Sequence, residues 1–145
     1  LPKGASAQST DHRPRLVGRG IEIDEAVMFA KALKAAGVDY VCVTSGGLAA
    51  NASPKVGPGY QVEFAETVRR EASIAVRAVG LIATPHHAEA VVAQGKADMV
   101  ALARAFLNNP HWAWQAASVL NATVERPVQY QREAPNVWLG MTYSE

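Results

Sequence analysis

Three short, almost unbroken apolar runs recur along this chain: residues 38–44 (VDYVCVT), 74–80 (IAVRAVG) and 98–103 (DMVALA). A run rich in β-branched residues, without polar alternation, reads as a strand buried on both faces, as in a parallel sheet. Each run follows a helical signal. Ile23, Val27, Ala30 and Leu33 fall at spacings of four, three and three, which places them on one helix face, and Gly37 marks its stop. A Gly/Pro loop over residues 51–59 leads to a second helix over residues 61–72. Thr84 and Pro85 form an N-cap followed by proline at the first helical position, and that helix stops at Gly95. A short helical turn follows the third run, and then a helix opened by Asn109-Pro110 that carries Trp112, Trp114 and Leu120. The order αβαβαβαα implies βαβ units with right-handed crossovers. Three strands are few for an α/β fold. A doubly wound sheet usually has about five or six, and a closed barrel eight.

Composition narrows the function classes. Of 145 residues, 49% are hydrophobic and 19% charged, enough for a buried core and unlike a disordered chain. The net charge is +1, so nothing argues for nucleic acid or an anionic membrane as partner. No apolar run approaches a membrane span, and the polar N-terminal stretch LPKGASAQSTDHRPR does not read as a secretion signal. The lone cysteine, Cys42, fits a reducing, cytoplasmic setting and reads as a small core residue in mid-strand. His86 and His87, adjacent on a helix, cannot share one face for a metal and are expected in solvent. Arg69, Arg70 and Glu71 read as a solvated helix face. Trp112 and Trp114, two apart, must point to different surroundings, one in the core and one at an interface. Neither G-x-G-x-x-G nor G-x-x-x-x-G-K is present.

Four stretches are more specific: VTSGGL (residues 43–48), KVGPGYQVEFAETVRREA (55–72), AVGLIATPHHAE (78–89) and DMVALARAFLNNPHWAWQAA (98–117). In this order and spacing they resemble the C-terminal part of Old Yellow Enzyme family flavoproteins, in the bacterial branch of ene reductases and NADPH dehydrogenases. The resemblance runs from about residue 21 to residue 132 and implies an α/β fold: strands six to eight of a (βα)₈ barrel with FMN at their C-terminal ends. It also implies FMN reduction by NAD(P)H and an enone-type alkene as substrate. The family's phosphate-binding positions fall on Gly80, Ala103 and Arg104, with Ser45 and Gly46 facing the same mouth. Local chemistry agrees. Glycine lets a backbone N–H approach a phosphate, and arginine offers it a bidentate, charge-assisted contact. PVQYQR, residues 127–132, resembles the segment by which this branch extends an arginine into a neighbouring subunit's active site, which points to Arg132.

The family's flavin-ring contacts, substrate-binding histidine pair and tyrosine proton donor lie in the first half of the barrel, so no catalytic residue is expected here. ASAQSTDHRP stands where the family has a string close to R-[IL]-S-A-T-D; Ser9, Thr10 and Asp11 match its end, but no arginine stands at the expected offset. The expected organisation is a loop or disordered segment (1–20), a partial barrel (21–122) and a tail for subunit contact (123–145). An open barrel edge exposes unpaired backbone groups, so another chain supplying strands one to five, or self-association, is expected. Three readings follow: part of an FMN-dependent ene reductase, a non-catalytic truncated remnant that self-associates without flavin, or a small α/β domain binding another phosphorylated ligand.

Overall fold

The computed structural model describes residues 21–45, 56–134, 137 and 138. The expected N-terminal segment, residues 1–20, lies outside them. The chain forms two compact units, one ending at Ala103 and the other beginning at Arg104.

The first unit alternates helix and strand: α1 (Ile23–Ala35), β1 (Tyr40–Val43), α2 (Val62–Ala72), β2 (Ala75–Ala78), α3 (Pro85–Ala93) and β3 (Met99–Val100). Local chemistry sets the helix ends. Glu22 and Glu25 form a capping box at the start of α1, with the Glu22 N–H donating to Glu25 Oε2 over 2.8 Å. Asp24 and Glu25 sit in its first turn and Lys34 in its last, complementing the helix dipole. Thr84 caps α3 as its sequence implies, accepting from the His87 N–H at 3.3 Å, with Pro85 next.

The described strands form a parallel sheet in the order β1-β2-β3. Tyr40 pairs with Ala75 and Val43 with Ala78; Arg77 pairs with Met99 and Ala78 with Val100. The strands are shorter than the apolar runs that announce them. β3 ends at Val100, and Ala103 already opens the next helix, whereas the sequence reads as strand to residue 103. The reason is pairing. The Ala101 N–H donates to the Ala78 carbonyl at 2.9 Å, and beyond Ala78 the β2 chain turns away at Gly80, so residues 102 and 103 have no strand to bond.

The core lies on one face of this sheet. Val43, Val76 and Ala78 point to it and are buried, and α2 packs on β1 and β2 with Ala65 and Val68 inside. Residues of the opposite parity, Tyr40, Cys42, Ala75, Arg77 and Met99, are exposed or half-buried. Cys42 therefore corrects the expectation of a core cysteine: it is exposed, because alternation turns it away from Val43.

The second unit contains α4 (Ala103–Asn108) from Arg104 onward, α5 (Trp112–Val119) and a 3₁₀ turn, Val128–Glu133. Trp112 packs on Phe106, with ring centroids 5.8 Å apart. Trp114 faces elsewhere: it stacks on His111 at 4.5 Å, meets Tyr130 at 5.0 Å and lies under Arg126. This cluster ties the 3₁₀ turn to α5. The tail sequence lacks a period because rings, not a helical repeat, hold it.

Candidate functional site

Because the strands run parallel, the residues that follow them lie at one end of the sheet: Ser45 after β1, Gly80 after β2 and Ala103 after β3. Gln61, the residue before α2, ties two of these together. Its side-chain amide donates to the Ser45 carbonyl at 2.6 Å and to Ser45 Oγ at 3.0 Å, and both residues are buried. Its other neighbour is Gly80. A Cβ at Gly80 would stand 3.1 Å from Gln61 Cβ and 3.2 Å from its backbone N. With φ at +109°, residue 80 also adopts a conformation that only glycine takes without strain.

The next residue, Leu81, has φ +50°, so two consecutive residues carry positive φ at the mouth of β2. A non-glycine residue held there stores about 1–3 kcal/mol, which surrounding contacts must offset. The brace is visible. The Gly59 N–H donates to the Gly80 carbonyl at 2.8 Å, while the Gly80 N–H has no acceptor among the described residues. Gly59 in turn has φ +70° and is covered by His87, whose Nε2 would lie 2.9 Å from a Cβ there. His87 is thus half-buried over the loop, not free in solvent as its place in a first helical turn suggests; His86 is exposed.

Sequence reasoning singles out Ser45 and Gly80, and the structure brings both onto Gln61. It passes over Gln61 itself. The available signal was a glutamine amid the apolar start of α2, a buried polar group that needs partners. Ala103 and Arg104 are exposed and open α4, not the end of a strand. Arg132 is exposed on the 3₁₀ turn. Gly46 lies outside the described residues.

Two other charged groups are structural in their contacts. Arg69 grips Asp98 through Nε at 3.1 and 3.0 Å and Nη2 at 2.9 Å, and gives Nη1 to the Gly95 carbonyl. Asp98 also accepts from the Val76 N–H at 2.9 Å. The Arg69 hydrogen bonds, opposed by partial desolvation and helped by Val76, hold the Asp98 carboxyl below its ordinary range. Of the charge cluster on α2, then, only Arg70 and Glu71 form a solvated pair. Arg77, in mid-strand, lies 5.3 Å from the Tyr40 ring centroid, and its Nε is buried without a partner among the described residues. Among the described residues no group of His, Cys, Asp and Glu has the makings of a metal site, and no helix is long and apolar enough to cross a membrane.

What a phosphate-bearing cofactor could use here is local: a glycine turn at the C-terminal end of a parallel strand, whose Gly80 N–H has no acceptor among the described residues. The chain is 45% identical over 124 residues to an NADPH dehydrogenase of Geobacillus sp. (strain WCH70), which covers 86% of this chain and 35% of that protein. It is 47% identical over 113 residues to an NADPH dehydrogenase of Geobacillus thermodenitrificans, and 43% identical over 113 to one of Listeria innocua; each match covers 78% of this chain and 33% of the relative. The chain thus spans about a third of the length of these relatives. These relatives are named for NADPH, and the matching family for NADH and a flavin. Residues 14–123 match the sequence profile of one family, and the chain belongs to it: the NADH:flavin oxidoreductase / NADH oxidase family.

Proposed function

We propose that this chain forms strands six to eight of a (βα)₈ barrel and supplies the phosphate grip of an FMN-dependent NAD(P)H oxidoreductase that reduces activated alkenes such as enones. The observation that carries this reading is the Gly80–Leu81 turn at the C-terminal end of a parallel strand: two positive φ values and a Gly80 N–H without an acceptor among the described residues, braced by Gly59 and Gln61. FMN, when bound, supplies two-electron chemistry between a nicotinamide nucleotide and the alkene.

The chain's own residues hold it. Gly80 offers a backbone N–H with no Cβ in the way, and Ala103 keeps the mouth of the third strand open. Arg104 provides a planar, permanently charged fork for phosphate oxygens. Ser45 stands at the same end of the sheet, fixed by Gln61 through its carbonyl and hydroxyl, and Gly46, next in sequence, is assigned to the site with it. Arg132, exposed on the 3₁₀ turn, is the candidate for contact with substrate or a neighbouring subunit's site. Catalytic residues are assigned to the first half of the barrel.

That half must also cover the edge of β1 that no described strand pairs. Beside this strand runs an apolar groove of about 280 Å³ lined by Phe29, Leu33, Val38 and Tyr40, the place for the preceding barrel strand and helix. Failing that, a second copy of the chain is the other occupant an unpaired edge invites.

The test is flavin occupancy, read from absorbance, in Arg104→Ala. Loss of a charged hydrogen bond predicts binding weaker by roughly 10- to 100-fold. Unchanged occupancy in the folded variant overturns the assignment of the phosphate site.

A further inference from the structure

We propose that Arg77 is one half of an ion pair buried inside the closed barrel, and that its partner is a carboxylate on an odd-numbered strand of that barrel. The inference rests on the barrel reading above.

Arg77 sits in the middle of β2 and points away from the helices, opposite in parity to Val76 and Ala78. Its Nε is buried and has no hydrogen-bond partner among the described residues, although the Cys42 thiol lies within reach of the guanidinium and, with Tyr40, favours its charged form. A guanidinium has five donors, no acceptor capacity and no accessible neutral form. Its neighbours on this sheet face are Tyr40 and Cys42 from β1, Ala75 from its own strand and Met99 from β3. Tyr40 and Cys42 are the titratable groups among them; β3 adds none. The Tyr40 ring gives a cation–π contact at 5.3 Å, which attracts the charge but accepts no in-plane hydrogen bond. None of these neighbours is a carboxylate. Closing a barrel over this face removes the remaining water, and a buried cation without a counter-charge is not tolerated. Whatever closes it must therefore bring an acceptor, and a carboxylate matches the guanidinium fork best.

Barrel geometry says where. The interior is filled by layers of four side chains drawn from alternate strands. With β2 as strand seven, the layer partners of Arg77 come from strands one, three and five. Gly80 stands three residues closer to the mouth, so the carboxylate belongs to the packed interior and not to the cofactor.

The experiment is thermal unfolding of the flavin-loaded protein and its Arg77→Met variant at about pH 8 and about pH 5. Methionine keeps the aliphatic stem and removes the charge. A carboxylate left buried alone has its folded pKa raised above its unfolded value. Its stability contribution is then retained at low pH and lost as pH rises through the folded value. The expected result is a midpoint roughly 5–10 °C below wild type near pH 8, with more than half of the gap closing near pH 5. Arg77→Lys, which keeps a positive charge, is expected to retain most of the wild-type midpoint at both values. If Arg77→Met yields folded, flavin-bearing protein only at the lower pH, that is the same result in its extreme form. A variant that melts as high as wild type at both pH values overturns the ion pair. So does equal, pH-independent loss in Arg77→Met and Arg77→Lys, which indicates packing alone. Flavin absorbance separates the two layers of inference. A flavin-bearing wild type with a pH-flat variant removes the ion pair only, whereas a wild type that never takes up flavin removes the barrel reading with it.

Discussion

The two faces of the sheet carry the same strands and opposite chemistry. On one, Val43, Val76 and Ala78 are sealed beneath α2, with Val76 and Ala78 at 0% exposure. On the other, Tyr40 is 42% exposed, Cys42 is exposed, and Arg77 holds a buried Nε without a partner among the described residues. The first face is finished by the chain's own helices. The second has the large and charged residues of an interior and lacks what an interior needs. A two-layer domain built to stand alone places polar side chains on its outer sheet face. On the barrel reading proposed above, that face is half of another core.

Substitutions can break this contrast or sharpen it. The largest effect is expected from Val76→Asp. It buries an unpaired charge under α2 and should cost several kcal/mol, enough to remove the urea unfolding transition. Cys42→Ser, one strand away on the open face, is expected to move the urea midpoint by less than about 1 kcal/mol in equivalent stability. Equal effects at the two sites contradict the division into a sealed and an open face.

Next comes Gly80→Ala, which sharpens the contrast at the mouth of the sheet. It meets both a positive φ and a Cβ position 3.1 Å from Gln61. A loss of about 1–3 kcal/mol by denaturant titration is expected, together with weakened flavin binding. A variant as stable as wild type shows that the turn relaxes freely and is not braced.

The smallest effect is at Asp98. Its folded pKa is depressed below the ordinary carboxylate value of 3.8. Its contribution is therefore complete above the unfolded value and is lost as pH falls through the folded one. Melting curves from about pH 6 down to about pH 2 should show a decline that Asp98→Asn lacks, within a total of roughly 1 kcal/mol because the pair is partly solvated. Parallel pH profiles for the two proteins rule out this contribution.

Much of the fold was legible in the sequence because the signals are local. Thr84-Pro85 marks a helix start, Gly37 and Gly95 take positive φ where helices stop, and the apolar runs locate all three described strands. What local signals could not carry is pairing. The last run continues in apolar residues to 103, but the ladder ends with the Ala101 N–H because β2 supplies no further partner. The candidate site divides the same way. Gly80 and Ser45 stand out by residue type at strand ends. Gln61 becomes visible only when α2 is folded back, since its partner Ser45 lies sixteen positions earlier. The grip of Arg69 on Asp98, twenty-nine positions later, was hidden for the same reason.

By itself, then, the sequence determined the alternation of helix and parallel strand, the caps, and the string of residues that marks a flavin oxidoreductase, because each is written in neighbours a few positions apart. Tertiary structure alone decided which face of the sheet the helices cover, where each strand stops, and that Gln61 and Gly80 brace one turn. Those outcomes depend on hydrogen bonds and packing between segments distant in the chain, whose energy exists only once the loops between them have closed.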